Sequence, residues 1–429
     1  MEEKIAIEPK SGLQGEIRPP GDKSISHRSV MMGAIAEGVT EIENFLTGED
    51  CIATIGAFEN MGVSIEGTGT SSVMVHGVGL NGLKEPGDIL DMGNSGTSMR
   101  LISGILAGQP FYSVMTGDAS LRSRPMNRIA DPLRLMGAKV YGRAGDHAPL
   151  TIIGGDLEPI RYKTPVASAQ IKSCILLAGL FAHGETIVTE PAASRDHTER
   201  MLRAFGADIL CEGLTRRVKG KPKLTGHKII VPGDISSAAY FLVAALLCRD
   251  SEIVIRNVGV NPTRAGILDA LKAMGALISL ENYREGSGEP VADLRVKSSQ
   301  LKGGNFSGGL IVRMLDEIPL LALAATQADG ETTIRDAAEL RVKETDRIAA
   351  TVSELRKIGA QVEEFDDGMV IAGGCKLEGG ECKSHGDHRM AMSLAVAGLI
   401  SESGVEIHDV ACVNTSFPGF WEMLSSLYA

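Results

Sequence analysis

Several short segments of the sequence place basic side chains beside hydroxyls, amides or carboxylates, at spacings suited to anion binding or proton transfer. The first is Pro20-Gly21-Asp22-Lys23-Ser24-Ile25-Ser26-His27-Arg28. A Pro-Gly turn feeding a helix start would set free N–H groups, the helix dipole and two cations, Lys23 and Arg28, against a carboxylate or phosphate. Solvated cations near a cap account for the same residues. The second is Gly93-Asn94-Ser95-Gly96-Thr97-Ser98-Met99-Arg100. Its small residues let backbone N–H groups approach an anion. It is neither a P-loop nor a dinucleotide fingerprint, and a plain turn is the alternative. Arg124 precedes Pro125. That position is biased to extended backbone, which would aim a guanidinium at a bidentate anion. Ser168-Ala169-Gln170 with Lys172, and Ser194-Arg195-Asp196-His197, read as further helix starts carrying a hydroxyl and a cation.

The densest charge cluster is Arg341-Val342-Lys343-Glu344-Thr345-Asp346-Arg347. On a helix, Lys343, Glu344 and Arg347 would share a face. The cations would hold Glu344 ionised until a substrate anion competed for them; a surface ion-pair lattice is the bland alternative. Asp316-Glu317-Ile318-Pro319 puts acids on the first turn of an apolar helix. There Asp316 would be either tuned for proton transfer or a plain N-cap. Asp387-His388-Arg389 opens another buried helix. His385 and His388 lack a third ligand at standard spacing, so no metal site is expected, and His388 is expected to orient a neighbour or cap the helix. There is no hydride-carrier fingerprint, zinc motif or G-x-S-x-G elbow. Proton transfer between phosphate- and carboxylate-bearing small molecules is the chemistry that remains.

A repeat runs under these segments. Gly62, Gly137, Gly206, Gly275 and Gly359 each follow an amphipathic stretch and precede a short alternating one, at separations of 75, 69, 69 and 84 residues. That reads as helix, glycine stop, strand. In step with it, a polar residue opens an Ala/Leu/Met-rich helix: Ser24, Asn94 or Ser95, Ser168, Ser236, Asp316 and Asp387. These helices are apolar nearly all round and therefore buried, with polar first turns. Six α/β modules of about 70 residues account for the chain, in a ring, a stack or two lobes of three. The basic run from Arg216 to Lys228 suggests a boundary near residue 234.

Composition bounds the rest. The chain has 429 residues, 43% hydrophobic and 23% charged, as in a globular protein. A net charge of −11 and 4% aromatics argue against nucleic acid or an anionic membrane as partner. Apolar runs stop well short of a bilayer span. The opening MEEKIAIEPKSG reads as neither a secretory nor an organelle leader. Seven cysteines without CxxC fit a reducing cytoplasm.

Together PGDKSISHR (20–28), GNSGTSMR (93–100), SRP (123–125), SAQ (168–170), SRD (194–196), DEIP (316–319), RVKETDR (341–347) and DHRMAM (387–392) resemble the 5-enolpyruvylshikimate-3-phosphate synthase (3-phosphoshikimate 1-carboxyvinyltransferase) family of enolpyruvyl transferases. The resemblance runs through essentially the whole chain. It implies an α/β fold, a two-lobed inside-out α/β barrel of six βαβαββ modules. One lobe would be discontinuous (1–20 and 235–429) and the other would span 21–234, with the active site in the cleft between them. It implies transfer of the enolpyruvyl group of phosphoenolpyruvate to the 5-hydroxyl of shikimate 3-phosphate through a tetrahedral intermediate. This is a step of the shikimate pathway towards chorismate and the aromatic amino acids. No cofactor is implied, and a cytoplasmic monomer inhibited by glyphosate is expected.

By motif, Lys23, Asp316 and Glu344 are the implied catalytic residues. Asp316 would be the base at the 5-hydroxyl and Glu344 the acid and base at the methylene carbon; Lys23 would assist proton transfer. Shikimate 3-phosphate would be held by Lys23, Ser24, Arg28, Ser168, Ala169, Gln170, Ser194, Arg195, Asp316 and Lys343. Phosphoenolpyruvate would be held by Lys23, Asn94, Gly96, Arg124, Gln170, Arg347 and Arg389. The better-known bacterial pattern has a second serine at Ala169, an asparagine at Glu339 and a lysine near Thr415. This chain resembles the second bacterial class, in which Arg195 and Lys172 are the expected compensation. Gly96 is retained, whereas enzymes tolerant to glyphosate commonly carry a bulkier residue there. The alternatives are the sister transferase acting on UDP-N-acetylglucosamine and an inactive anion-binding repeat scaffold. The sister family typically carries a cysteine in the loop that is Asp118-Ala119-Ser120-Leu121 here, and the scaffold predicts broken acid or cation positions.

Overall fold

The computed structural model describes residues 3–428. They form two compact units. One contains the N-terminal segment to Pro20, Pro232–Glu285 and the chain from Glu289 onward; the other contains Gly21–Val231 and Gly286–Gly288. Each unit has its own hydrophobic core.

The repeat in the sequence becomes six small sheets, three per unit. In each, a buried helix leads into one strand of a parallel pair, and antiparallel chain completes the sheet. In the Gly21–Val231 unit the central parallel pairs are Lys228–Ile230 with Glu37–Glu43, Leu90–Asp91 with Tyr112–Thr116, and Arg161–Lys163 with Glu185–Thr189. In the other unit they are Gln14–Ile17 with Glu252–Gly259, Asn305–Phe306 with Thr332–Ile334, and Gly380–Lys383 with Val405–His408. A parallel pair needs a crossover; the buried helix supplies it in four sheets, whereas Lys228–Ile230 and Gln14–Ile17 reach their partners by way of the other sheets of the chain. The discontinuity of the first unit follows from strand supply. Gln14–Ile17 joins a sheet completed more than two hundred residues later, and Lys4–Ile7 pairs antiparallel with Val405–His408.

The six buried helices are Lys23–Ala34, Gly96–Ala107, Ala169–Gly179, Ile235–Leu247, Ile318–Thr326 and His388–Ile400. Ile235 to Leu246 is buried at every position, whereas strands such as Glu37–Glu43 alternate. Helices inside and sheets outside is the expected inside-out arrangement. The outer helices Asn127–Leu135, His197–Ala204, Gly266–Ala273 and Arg347–Lys357 each end one residue before a cap, followed by Gly137, Gly206, Gly275 or Gly359 at φ between +94° and +104°. This left-handed stop is costly for a residue with a Cβ, which is why glycine marks the period.

The polar helix starts differ in detail from the sequence reading. Ser95, Ser168 and Asp387 are caps as expected. Asp22 caps the first helix in place of Ser24, and Asp234 caps the fourth in place of Ser236. Both acids accept a backbone N–H that a serine inside the helix would not reach. Asp316 is not a cap: it lies in the 3₁₀ turn Leu315–Glu317.

Candidate active site

In the Gly21–Val231 unit, three buried helices present their N-termini with polar side chains. Lys23 opens the first, and its ammonium pairs with Asp50. Ser24 beside it is half-buried. Arg28, one turn on, is buried: Nε donates to Thr198 Oγ1 at 2.7 Å, Nη1 to the Ser24 carbonyl at 2.9 Å and Nη2 to Ser173 Oγ at 3.0 Å. Arg28, expected at shikimate 3-phosphate, thus has three donor groups bonded within the unit. A guanidinium this deep must satisfy its donors inside the protein, and Arg28 ties its helix to its neighbours.

The second and third helices pack with almost no space between them. A Cβ on Gly104 would lie 2.2 Å from the Cys174 carbonyl oxygen. This approach brings the two N-termini together. Gln170 Nε2 donates to Thr97 Oγ1 and Arg100 Nη1 donates to Gln170 Oε1, each at 3.2 Å. Arg124 is extended (φ −81°, ψ 137°), as its place before Pro125 requires. Its Nη2 donates to Asn94 Oδ1 at 2.8 Å and Ser120 Oγ at 3.0 Å. A Cβ on Gly96 would meet Arg100 Nη1 at 2.6 Å and Arg124 Nη1 at 3.2 Å. Asn94, Gly96, Arg124 and Gln170 thus form one cluster. The sequence reading left out Arg100 and Thr97, whose signal was their position one turn into the same helix.

Ser168 caps the third helix, and Ala169 and Gln170 follow half-buried on its first turn. One expectation on this side changes. Lys172 is fully buried, 2.8 Å from both Glu190 and Glu199, so it does not compensate for Ala169 at a ligand. Ser194 is buried and its hydroxyl donates to Glu190. Buried charges must be paired, and this cluster fixes the segment that carries half-buried Arg195.

In the other unit the charges converge on Arg347, the largest fully buried side chain described. Nε donates to Asp387 Oδ2 at 2.7 Å, Nη1 to Asp316 Oδ1 at 3.1 Å and Nη2 to Glu344 Oε2 at 2.5 Å. Burial works against its charge, but Asp387, Glu344 and Asp316 together hold it above the ordinary arginine value. Lys343 Nζ lies 3.4 Å from Asp316, and Arg389 Nη2 lies 3.8 Å from the same carboxylate. Burial likewise opposes the Arg389 charge, and Asp316 leads the groups that raise it well above the usual value. Glu317, behind Asp316, is bridged by Arg264 at 3.0 Å and bonded by Ser236.

The shared helix face expected for Lys343, Glu344 and Arg347 is absent. The helix begins at Arg347, after a 3₁₀ turn at Ala338–Val342 and a bend through Lys343–Asp346. Asp346 is the preferred cap, so it stops the helix from extending back over Glu344. The bend still brings Glu344 onto Arg347. His388 Nδ1 lies 3.3 Å from Thr415 Oγ1, the position at which a lysine was noted as missing.

Residues 7–424 match the sequence model of the EPSP synthase (3-phosphoshikimate 1-carboxyvinyltransferase) family. The chain belongs to the EPSP synthase family. A 3-phosphoshikimate 1-carboxyvinyltransferase of Desulforudis audaxviator is 58% identical over 424 residues, 99% of each chain. One of Pelobacter propionicus is 57% identical over 423 residues, covering 98% of this chain and 97% of the relative. The solved EPSP synthase of Acinetobacter baumannii superposes with a TM-score of 0.89 at 50% identity, over 100% of this chain and 98% of that one. The enolpyruvyl transferase NikO of Streptomyces tendae, 18% identical with a TM-score of 0.79 over 99% and 97% of the two chains, shares the fold. Both clusters described above lie within the matched range. No helix among the described residues is long and apolar enough to cross a membrane.

Proposed function

We propose that Asp316 and Glu344, held by one guanidinium, are the proton-transfer pair of an enolpyruvyl transfer from phosphoenolpyruvate to the 5-hydroxyl of shikimate 3-phosphate. The observation carrying this reading is that Arg347 bonds both carboxylates at once. The reaction needs one proton removed from an oxygen and one delivered to a carbon, and two separately oriented carboxylates can do both. Asp316 takes the 5-hydroxyl proton as the oxygen attacks C2 of phosphoenolpyruvate, while Glu344, which takes up a proton from water once released from Arg347, delivers it to the methylene carbon. This forms the tetrahedral intermediate. Glu344 then recovers the proton from the methyl group as phosphate leaves, restoring the double bond on the product.

Lys23 assists these transfers and binds phosphoenolpyruvate, for which the substrate competes with Asp50. Asn94, Gly96, Arg124, Gln170 and Arg389 complete its binding site. Arg347 contributes by yielding one partner. Glu344 is the most exposed of its three carboxylates, at 17% of side-chain surface. A substrate carboxylate taking its place on Nη2 would release Glu344 for proton transfer. Lys23, Ser24, Arg28, Ser168, Ala169, Gln170, Ser194, Arg195, Asp316 and Lys343 hold shikimate 3-phosphate. The boundaries at residues 20 and 235 divide the chain into the two lobes that contribute these sets. The protein acts as a cytoplasmic monomer, and glyphosate competes for the phosphoenolpyruvate site.

The test follows phosphorus NMR with both substrates present. The enol-ether product and inorganic phosphate should rise together, and neither should appear without shikimate 3-phosphate. Turnover with UDP-N-acetylglucosamine instead would reassign the acceptor. Silence with both acceptors, in a folded protein, would leave the inactive scaffold.

A further inference from the structure

Behind the Asn94–Gly96 turn runs a hydrogen-bond chain that the reaction does not use directly. His27 Nδ1 lies 2.7 Å from Thr54 Oγ1, Thr54 Oγ1 2.7 Å from Ser98 Oγ, and Ser98 Oγ 2.6 Å from Ser95 Oγ. All four side chains are fully buried. They come from three elements: the Lys23–Ala34 helix, the Glu49–Asn60 helix, and the start of Gly96–Ala107. The chain ends on the residue that caps that last helix, because Ser95 Oγ also accepts from the Ser98 N–H at 3.1 Å.

The imidazole is neutral. Burial drives its pKa well below the usual histidine value, and the neighbouring charges of Lys23 and Arg28 add to the effect. Its Nε2 is buried with no hydrogen-bond partner. A proton there would be an orphaned donor, a larger penalty than an unpaired lone pair that receives no bond. The proton therefore sits on Nδ1 and is donated to Thr54. This directs the Thr54 hydroxyl proton onward, with Ser98 the nearest acceptor and the Asp50 carbonyl a more distant one at 3.4 Å. An imidazole carrying a fixed donor thus orients hydroxyls that have no orientation of their own.

We propose that His27 is a positioning residue for phosphoenolpyruvate binding: its Nδ1–H, relayed through Thr54 and Ser98 to the Ser95 cap, fixes the Asn94–Gly96 turn. The proposal rests on the reading that this turn binds phosphoenolpyruvate. It concerns one substrate only, so a general loss of structure gives a different signature.

The test compares His27→Leu, His27→Asn and Ser98→Ala by separate Michaelis constants for the two substrates, with thermal melts on each variant. Asparagine keeps an N–H close to the Nδ1 position; leucine keeps bulk alone. His27→Leu should raise KM for phosphoenolpyruvate about tenfold, the loss expected for a broken buried bond, and leave KM for shikimate 3-phosphate within about twofold. His27→Asn should recover most of that loss. Ser98→Ala breaks the relay without touching the histidine and should give the same selective effect. The double variant His27→Leu/Ser98→Ala should add little to either single one. Equal behaviour of the leucine and asparagine variants, or parallel rises in both constants, overturns the proposal. Should His27→Leu not fold, an unchanged phosphoenolpyruvate KM in Ser98→Ala overturns it as well. Asn94→Ala separates the two levels. If it raises KM for phosphoenolpyruvate while the relay variants do not, only the relay is wrong. If it has no effect, the reading of the turn itself is wrong.

Discussion

Two arginine clusters, one in each unit, meet different acceptors. In the Gly21–Val231 unit, Arg28, Arg100 and Arg124 bond to neutral oxygens: the hydroxyls of Ser120, Ser173 and Thr198, the amides of Asn94 and Gln170, and the carbonyls of Ser24, Gly96 and Pro125. A neutral acceptor orients a guanidinium without cancelling its charge. In the other unit, Arg264, Arg347 and Arg389 face carboxylates: Glu317, Asp387, Glu344 and Asp316. There the cation is spent on positioning acids. The same residue type therefore meets neutral oxygens in one cluster and carboxylates in the other.

Removing an acid from the carboxylate-rich cluster should have the largest effect. Asp316→Asn and Glu344→Gln should each lower kcat by roughly 10²–10⁴, the range for a lost general acid or base, with a small change in KM for phosphoenolpyruvate. A stopped-flow single-turnover assay reads this directly. A loss confined to KM would erase the contrast between the units.

Lys172→Met tests a carboxylate-paired cation in the Gly21–Val231 unit, where Lys23–Asp50 and Arg216–Glu199 are paired as well. It leaves Glu190 buried without its lysine and Glu199 with Arg216 alone, and should cost about 3–5 kcal/mol of stability, read by denaturant unfolding. A change below about 1 kcal/mol would mean that the cluster is dispensable. Arg124→Ala should raise KM for phosphoenolpyruvate about 10- to 100-fold and spare kcat, since charge-assisted bonds to a bound anion are what is lost.

Acid titration probes a carboxylate saturated by donors. Asp293 accepts from the Asn257 N–H, the Asn282 amide and Arg256 at 2.8, 2.8 and 2.9 Å. Burial pushes its pKa up, but these donors prevail and bring it from 3.8 to about 2. A lowered folded-state pKa contributes stability above the unfolded value that is lost as pH falls towards the folded one. Roughly 2 kcal/mol should therefore disappear between about pH 4 and pH 2. Asp293→Asn should flatten that part of the stability curve. The smallest effect is expected from Gly96→Ala. The new Cβ crowds the ends of Arg100 and Arg124, which are flexible enough to yield. KM for phosphoenolpyruvate should rise about threefold, and glyphosate inhibition should weaken more.

Much of this was legible in the residues. The glycine period marked the outer-helix stops because a left-handed residue after a helix is a local requirement, the same at Gly137 as at Gly359. Ser95, Ser168 and Asp387 could be read as caps because a cap bonds within three residues of itself. Arg124 could be read as extended because proline acts on its immediate neighbour. Lys172 misled because its sequence neighbours gave no sign of Glu190 or Glu199, the groups that claim it in the fold.

The sequence by itself determined the six modules, the polar openings of their buried helices and the membership of both charge clusters. All of these are encoded by contacts a few residues apart or by motifs that survive as short strings. Only the tertiary structure decided which acceptors each cation meets. Arg347 and Arg124 look alike on the chain, and whether a guanidinium meets Asp316 or Asn94 depends on which helix packs against it. That choice is made by burial, where an unpaired charge is too costly to leave and the nearest acceptor, however distant in sequence, takes the bond.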